Sequence, residues 1–166
     1  MLRDVFSSRI AAGIALAAIA GTLAGCEGEA PEADTELNSP AIGERQDNFE
    51  GIADSFKAIR GQLEQENPDF AAIQANAEDI NQRAGNIEQH FVEETAREDG
   101  YDTEALAAIW AQPGEFTAAR QKLSETSAAL VEAAASGEAA AVGAAVKEMG
   151  GSCKNCHDVF RYDDEA

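Results

Sequence analysis

The sequence predicts an all-α protein, an antiparallel left-handed four-helix bundle, and three observations carry that prediction. Apolar residues recur at spacings of three and four along four separate segments, the mark of helices with one buried face. Glycine and proline near positions 67, 100, 113 and 137 cut the chain into helices of similar length joined by mostly short connections, which excludes one long coiled coil. No stretch alternates apolar and polar residues as a half-buried strand would, and no segment repeats.

Each element has its own signals. Residues 1–25 open with Arg3 and Arg9, run through Ala, Ile and Leu from Ile10 and end in small residues, the pattern of an export signal too short for a comfortable bilayer span. Residues 27–43, EGEAPEADTELNSPAIG, are rich in Glu, Pro, Gly and Ser and read, with Cys26, as a disordered linker. The domain then occupies 44–166. Its first helix is expected from Glu44 to about Glu64, with Phe49, Ile52, Phe56, Ile59 and Leu63 inward. Asn67-Pro68-Asp69 starts the second, whose stripe runs Phe70, Ile73, Ala77, Ile80, Ala84, Ile87 and Phe91. EETAREDGYDT reads as a connection and Glu104–Trp110 as a short turn. Pro113 opens the third helix, with Phe116, Leu123 and Leu130 inward, and Gly137 separates it from the fourth. There Val142, Val146, Met149, Cys153, Cys156 and Phe160 share a face. Alanines over residues 128–145 allow the last two helices to approach closely.

Charge narrows the function. The 166 residues carry a formal net charge of −19, and loss of residues 1–25, with Arg3, Arg9 and Asp4, makes the remainder one charge more negative. Such a surface excludes nucleic acid and electrostatic adhesion to anionic lipid, and it steers the protein toward a positively charged partner.

The chemistry lies at the two ends. Cys153, Cys156 and His157 form C-x-x-C-H, the spacing that attaches a c-type haem: two thiols form thioethers with the haem vinyl groups and the next imidazole is the axial ligand. A thioredoxin-like pair would want a neighbouring strand. Structural zinc would want four ligands from a chain with three cysteines and two histidines. A disulfide across so small a loop would stabilise little. At the other end Leu23-Ala24-Gly25-Cys26 resembles the lipobox of bacterial lipoproteins, which implies cleavage before Cys26, its lipidation and a membrane tether. The competing reading is an ordinary signal peptide or uncleaved anchor with an incidental cysteine.

A bundle with haem near the C-terminal end of its last helix resembles the cytochrome c′ family. The likeness covers most of residues 43–162 and is carried by CKNCHDVFR, by AAIWAQPGEF with Ile109, Trp110 and Phe116, and by Arg45-Gln46-Asp47-Asn48-Phe49. The resemblance implies one haem c on Cys153 and Cys156 with His157 as metal ligand. It places Arg45 and Gln46 at the haem edge, where they would pair with propionates, and brings Thr103 and Glu104 to the haem as well. Arg161 would sit near the imidazole edge.

The same resemblance places Phe49 over the iron opposite the histidine. Phenyl cannot ligate iron, so a five-coordinate, high-spin haem is expected, open to a small gas such as nitric oxide or carbon monoxide. Met149 lies on the histidine's own helix and reads as core, and His90, off the apolar stripe, reads as a surface residue and the one other candidate ligand. The expected protein is a periplasmic electron-transfer and gas-binding haem protein rather than an enzyme, since helix one offers no distal His or Arg. Its expected partners are a redox protein or a diatomic gas. A six-coordinate low-spin carrier, or a gas-sequestering protein without electron transfer, is the alternative. Glu27 after Cys26 favours the outer membrane. The resemblance also implies a homodimer through helices one and two, whose exposed faces carry Asp47, Glu50, Asp54, Glu78 and Glu88.

Overall fold

The computed structural model describes residues 37–163; the signal segment, Cys26 and most of the linker lie outside the described residues. Helix α1 spans Pro40–Leu63, α2 Phe70–Asn86, α3 Ala108–Ala111, α4 Pro113–Ala135 and α5 Ala139–Phe160. Short 3-10 turns occupy Ile87–Phe91 and Arg97–Asp99. Among the described residues the only extended pairings are isolated bridges, Leu37 with Tyr101 and Ala105 with Arg161, and no helix is long and apolar enough to cross a membrane.

Local chemistry sets the boundaries. Helix α1 begins four residues before the predicted Glu44, because Ser39 is an N-cap whose hydroxyl accepts from the Ala41 amide at 3.2 Å, with Pro40 in the first turn. Residues 40–43 are therefore helix and not linker, and Ile42 is buried. Asp69 caps α2 through the Ala71 and Ala72 amides, as Asn67-Pro68-Asp69 predicts. The α-helix then tightens to 3-10 geometry after Asn86, so the stripe reaches Phe91 on a narrower coil. The expected turn at Glu104–Trp110 is displaced to Ala108–Ala111, since Ala105 is extended against Arg161. Gly100 and Gly137 take φ of +88° and +70°, turning the chain where a side chain would strain it.

The core is the sum of the inward stripes. Ile59, Ile73, Ile80, Leu130, Val142 and Met149 are fully buried, each contributing about 1.5–3 kcal/mol of transfer free energy. Met149 is thus core, as expected. Three seams are tight: α1 on α2, α2 on α4, and α4 on α5. Hydroxyls and one amide stitch them, through Ser55 to Asp79 (2.8 Å), Asn81 to Ser127 (3.0 Å) and Thr126 to Ser152 (3.2 Å). The fourth seam is looser. Helices α1 and α5 meet at few places, one of them where a Cβ on Gly150 would stand 3.7 Å from the Phe56 ring.

Candidate haem site

The two helices of the loose seam, α1 and α5, carry the predicted chemistry. From α5 come Cys153 and Cys156, both half-buried and packed on the core, with Phe160 buried one turn on. From α1 comes Phe49, half-buried and packed on the same core. A chain of rings joins the two sides. Phe49 lies edge-on to Phe91 at 6.3 Å, Phe91 to Phe116 at 4.9 Å, and Phe116 to Phe160 at 5.3 Å. Trp110 closes the end, 6.1 Å from Phe91, and its indole N–H donates to the Phe91 carbonyl at 3.0 Å. Aromatic walls with two thiols on one side suit a large planar apolar ring.

Burial disfavours the thiolate form of both cysteines. Burial raises both pKa values, and for Cys156, beside Cys153, the value is pushed up to about 11. Such thiols are protonated at neutral pH and poor nucleophiles for exchange. Among the described residues no group of three His, Cys, Asp or Glu side chains could hold a metal ion. His157 follows on the exposed side of the last turn. Its pKa is lowered, by desolvation first and the Arg161 charge second, against the opposing pull of Glu104 and Asp158. The lowering favours the neutral imidazole, the form that ligates iron.

Arg45 is 4% exposed. Its Nη2 donates to Thr95 Oγ1 at 2.7 Å, its Nη1 to Thr103 Oγ1 at 3.4 Å and its Nε to the His90 carbonyl at 3.2 Å. The guanidinium lies 4.2 Å from the Phe91 ring centre. Burial lowers its pKa while Glu93 acts to raise it. All three hydrogen-bond partners are neutral, so a second anion would stabilise this buried cation further. Gln46, the next residue, is exposed.

Thr103 and Glu104 diverge. Thr103 is buried on Arg45 and also accepts from the Ala105 amide, whereas Glu104 is exposed and accepts from Arg161 Nε at 2.7 Å. That ion pair holds the Glu104 carboxyl below its ordinary range. Arg161 thus joins Glu104 and the His157 end of α5, and Arg45 joins Thr103. His90 is less exposed than predicted for a surface residue: it is half-buried in the 3-10 turn, with Nδ1 shielded and without a hydrogen-bond partner. Thr95, fully buried against Arg45, is a site residue the sequence analysis missed. Its one signal was an uncharged, hydroxyl-bearing side chain following Glu93 and Glu94 in an acidic connection.

Known proteins match this arrangement. Residues 40–161 match the family profile described as cytochrome C′. The chain is 33% identical over 132 residues to a cytochrome c′ of Pararhodospirillum photometricum, covering 79% of this chain and 98% of that protein. The crystal structure of cytochrome c′ from Rubrivivax gelatinosus superposes with a TM-score of 0.66 at 32% identity, over 74% of this chain and 94% of the other. The nitric oxide complex of a cytochrome c prime variant from Alcaligenes xylosoxidans gives 0.62 at 26% identity, over 74% and 94%. With a four-helix bundle, and with Cys153 and Cys156 in the C-x-x-C-H sequence that takes haem c covalently, the chain belongs to the cytochrome c′ family.

Proposed function

We propose that the protein is a lipid-tethered periplasmic cytochrome c′ that transfers electrons and binds small diatomic gases reversibly, nitric oxide foremost. The observation that carries this reading is the pairing across the α1–α5 seam. Half-buried thiols followed by a neutral imidazole stand on one side, and Phe49, which cannot ligate iron, stands on the other. A haem bound here would supply redox and gas-binding chemistry at its iron. His157 would ligate the iron. Phe49, held edge-on by Phe91, would exclude water and large ligands. Arg45 and Gln46 would pair with the propionates, Arg45 from a preformed network and Gln46 from the exposed rim. Thr103 fixes Arg45, and Glu104 fixes Arg161 beside the imidazole.

The structural relative solved with nitric oxide supports the gas-binding half of this reading. No distal acid–base pair accompanies Phe49 on α1, which argues against a peroxidase or reductase. The lipobox at Cys26 and Glu27 after it support a tether to the outer membrane, facing the periplasm. A homodimer through α1 and α2 brings Asp47, Glu50, Asp54, Glu78 and Glu88 together, so self-association strengthens as salt rises; a salt-independent monomer on sedimentation contradicts the pairing. Electron paramagnetic resonance of the ferric holoprotein tests the coordination directly. A signal with high-spin character is expected. A purely low-spin signal, from two strong axial ligands, overturns the proposal.

A further inference from the structure

In this antiparallel bundle α1 and α4 begin, and α2 and α5 finish, at one end. That end carries Arg45, Phe49, Phe91, Cys153 and Cys156, and it is tied together by main-chain bonds. Leu106 N–H donates to Phe160 O at 3.1 Å and Tyr162 N–H to Glu104 O at 2.7 Å, fixing the tail of α5 to the loop. The incoming chain is fixed to the same loop. Leu37 N–H donates to Gly100 O at 3.1 Å, Asp102 N–H to Leu37 O at 3.2 Å, and the Ser39 hydroxyl to Glu93 at 3.0 Å. Residues 37–39 are therefore an added edge on the loop that supplies Thr95 and Thr103 to Arg45, and Leu37, the first described residue, stands at the haem end.

We infer that the haem end of the bundle is the membrane-proximal end. The inference rests on the lipid-tether reading and deepens it. Eleven peptide steps separate Cys26 from Leu37, and whatever their conformation they span at most about 40 Å. The far end, at the turns after Leu63 and after Ala135, stands a helix length from Leu37, about 36 Å along the 24 residues of α1, so the haem end is held within the reach of the tether while the far end ranges well beyond it. Adhesion to lipid does not produce this orientation. The loop carries Glu93, Glu94, Glu98, Asp99, Asp102 and Glu104, and an anionic surface repels it. The tether alone brings the haem edge to the membrane, where it is offered to redox partners of that membrane whose exposed face is basic.

Energy transfer from the lipidated holoprotein on phospholipid vesicles tests this. A fluorescent donor is attached in one variant at the haem end (Asp99→Cys) and in another at the far end (Glu66→Cys), both exposed positions. The rate of transfer to an acceptor-labelled lipid, the difference between reciprocal donor lifetimes with and without that lipid, is measured for each, so that quenching by haem cancels. Transfer should be several-fold greater from position 99 than from 66. Inserting a flexible spacer of about ten Gly and Ser residues after Glu29 should lower it. Equal transfer from the two positions, or greater transfer from 66, overturns the orientation; transfer from 99 that ignores the spacer shows adhesion instead and overturns the tether as its cause. Mass spectrometry of the same preparation separates the two readings: an unmodified Cys26 removes the tether and the inference together, whereas acylated protein with its far end nearer the lipid leaves the tether standing.

Discussion

Replacing Phe49 by alanine separates the structural work of that ring from its control of the iron. The ring is half-buried and makes an edge-to-face contact with Phe91 at 6.3 Å between centroids. A fully buried Phe→Ala change costs roughly 3–5 kcal/mol, and the aromatic pair accounts for about 0.5–1.5 kcal/mol of that. With the ring only partly buried, and haem among the atoms able to relax into the space, Phe49→Ala should cost about 2–3 kcal/mol. Chemical denaturation of the holoprotein gives this value. The functional effect goes the other way. Truncation removes the group that a ligand must displace, so carbon monoxide should bind the ferrous protein faster and more tightly, read by flash photolysis and titration. Oxygen should gain less, because no polar donor appears with the new space. Phe49→Met, which restores volume and adds a thioether, should move the iron toward a six-coordinate, low-spin state of higher potential. Carbon monoxide kinetics unchanged in Phe49→Ala would show that another group guards the iron.

Arg45→Leu leaves the Thr95 hydroxyl and the His90 carbonyl without their Arg45 donor, at about 1–3 kcal/mol per orphaned group, while Thr103 keeps the Ala105 amide. Its holoprotein should unfold well before wild type, and a loss within 0.5 kcal/mol, the range of a neutral surface change, would contradict the network. Glu104 and Arg161 form an exposed pair worth about 0–1 kcal/mol. Because Arg161 holds the Glu104 pKa below 4.5, that stabilisation is complete above the unfolded value and disappears as pH falls through the folded one. The stability gap between wild type and Glu104→Gln should therefore close in acid, and a gap constant with pH would refute the pairing. Cys156→Ala removes one thioether, so haem stain retained on a denaturing gel should weaken or vanish. Cys26→Ala should leave the protein soluble or uncleaved rather than in the membrane fraction; unchanged fractionation would remove the lipid anchor.

What was legible in the sequence was local. The three-four stripes placed the core from Ile52 to Val142, and C-x-x-C-H needs no tertiary information because its spacing is the haem's own. The start of α1 was misplaced because Ser39-Pro40, a cap and first-turn pair, sits in acidic, small-residue company that reads as linker. The burial of Arg45 could not be read at all. Its partners lie 45, 50 and 58 residues away, in a connection without periodicity, and a lone arginine on a helix gives no sign of which loop will fold over it. Nδ1 of His90 is buried as well, on a residue the stripe places outside the core. Thr103 and Glu104 were identified together by resemblance, yet adjacent positions in an extended segment face opposite ways. One therefore meets Arg45 and the other Arg161.

The absorption spectrum of the reduced holoprotein, before and after carbon monoxide, tests the central claim most directly, because it reports what lies across the iron from His157. With Phe49 there, the ferrous protein should show a five-coordinate, high-spin spectrum that shifts strongly as carbon monoxide takes the open position. A ferrous spectrum already low-spin, with sharp visible bands and no response to the gas, would mean that a protein side chain occupies the sixth position. His90, with its shielded and unpartnered Nδ1, would be the first residue to replace.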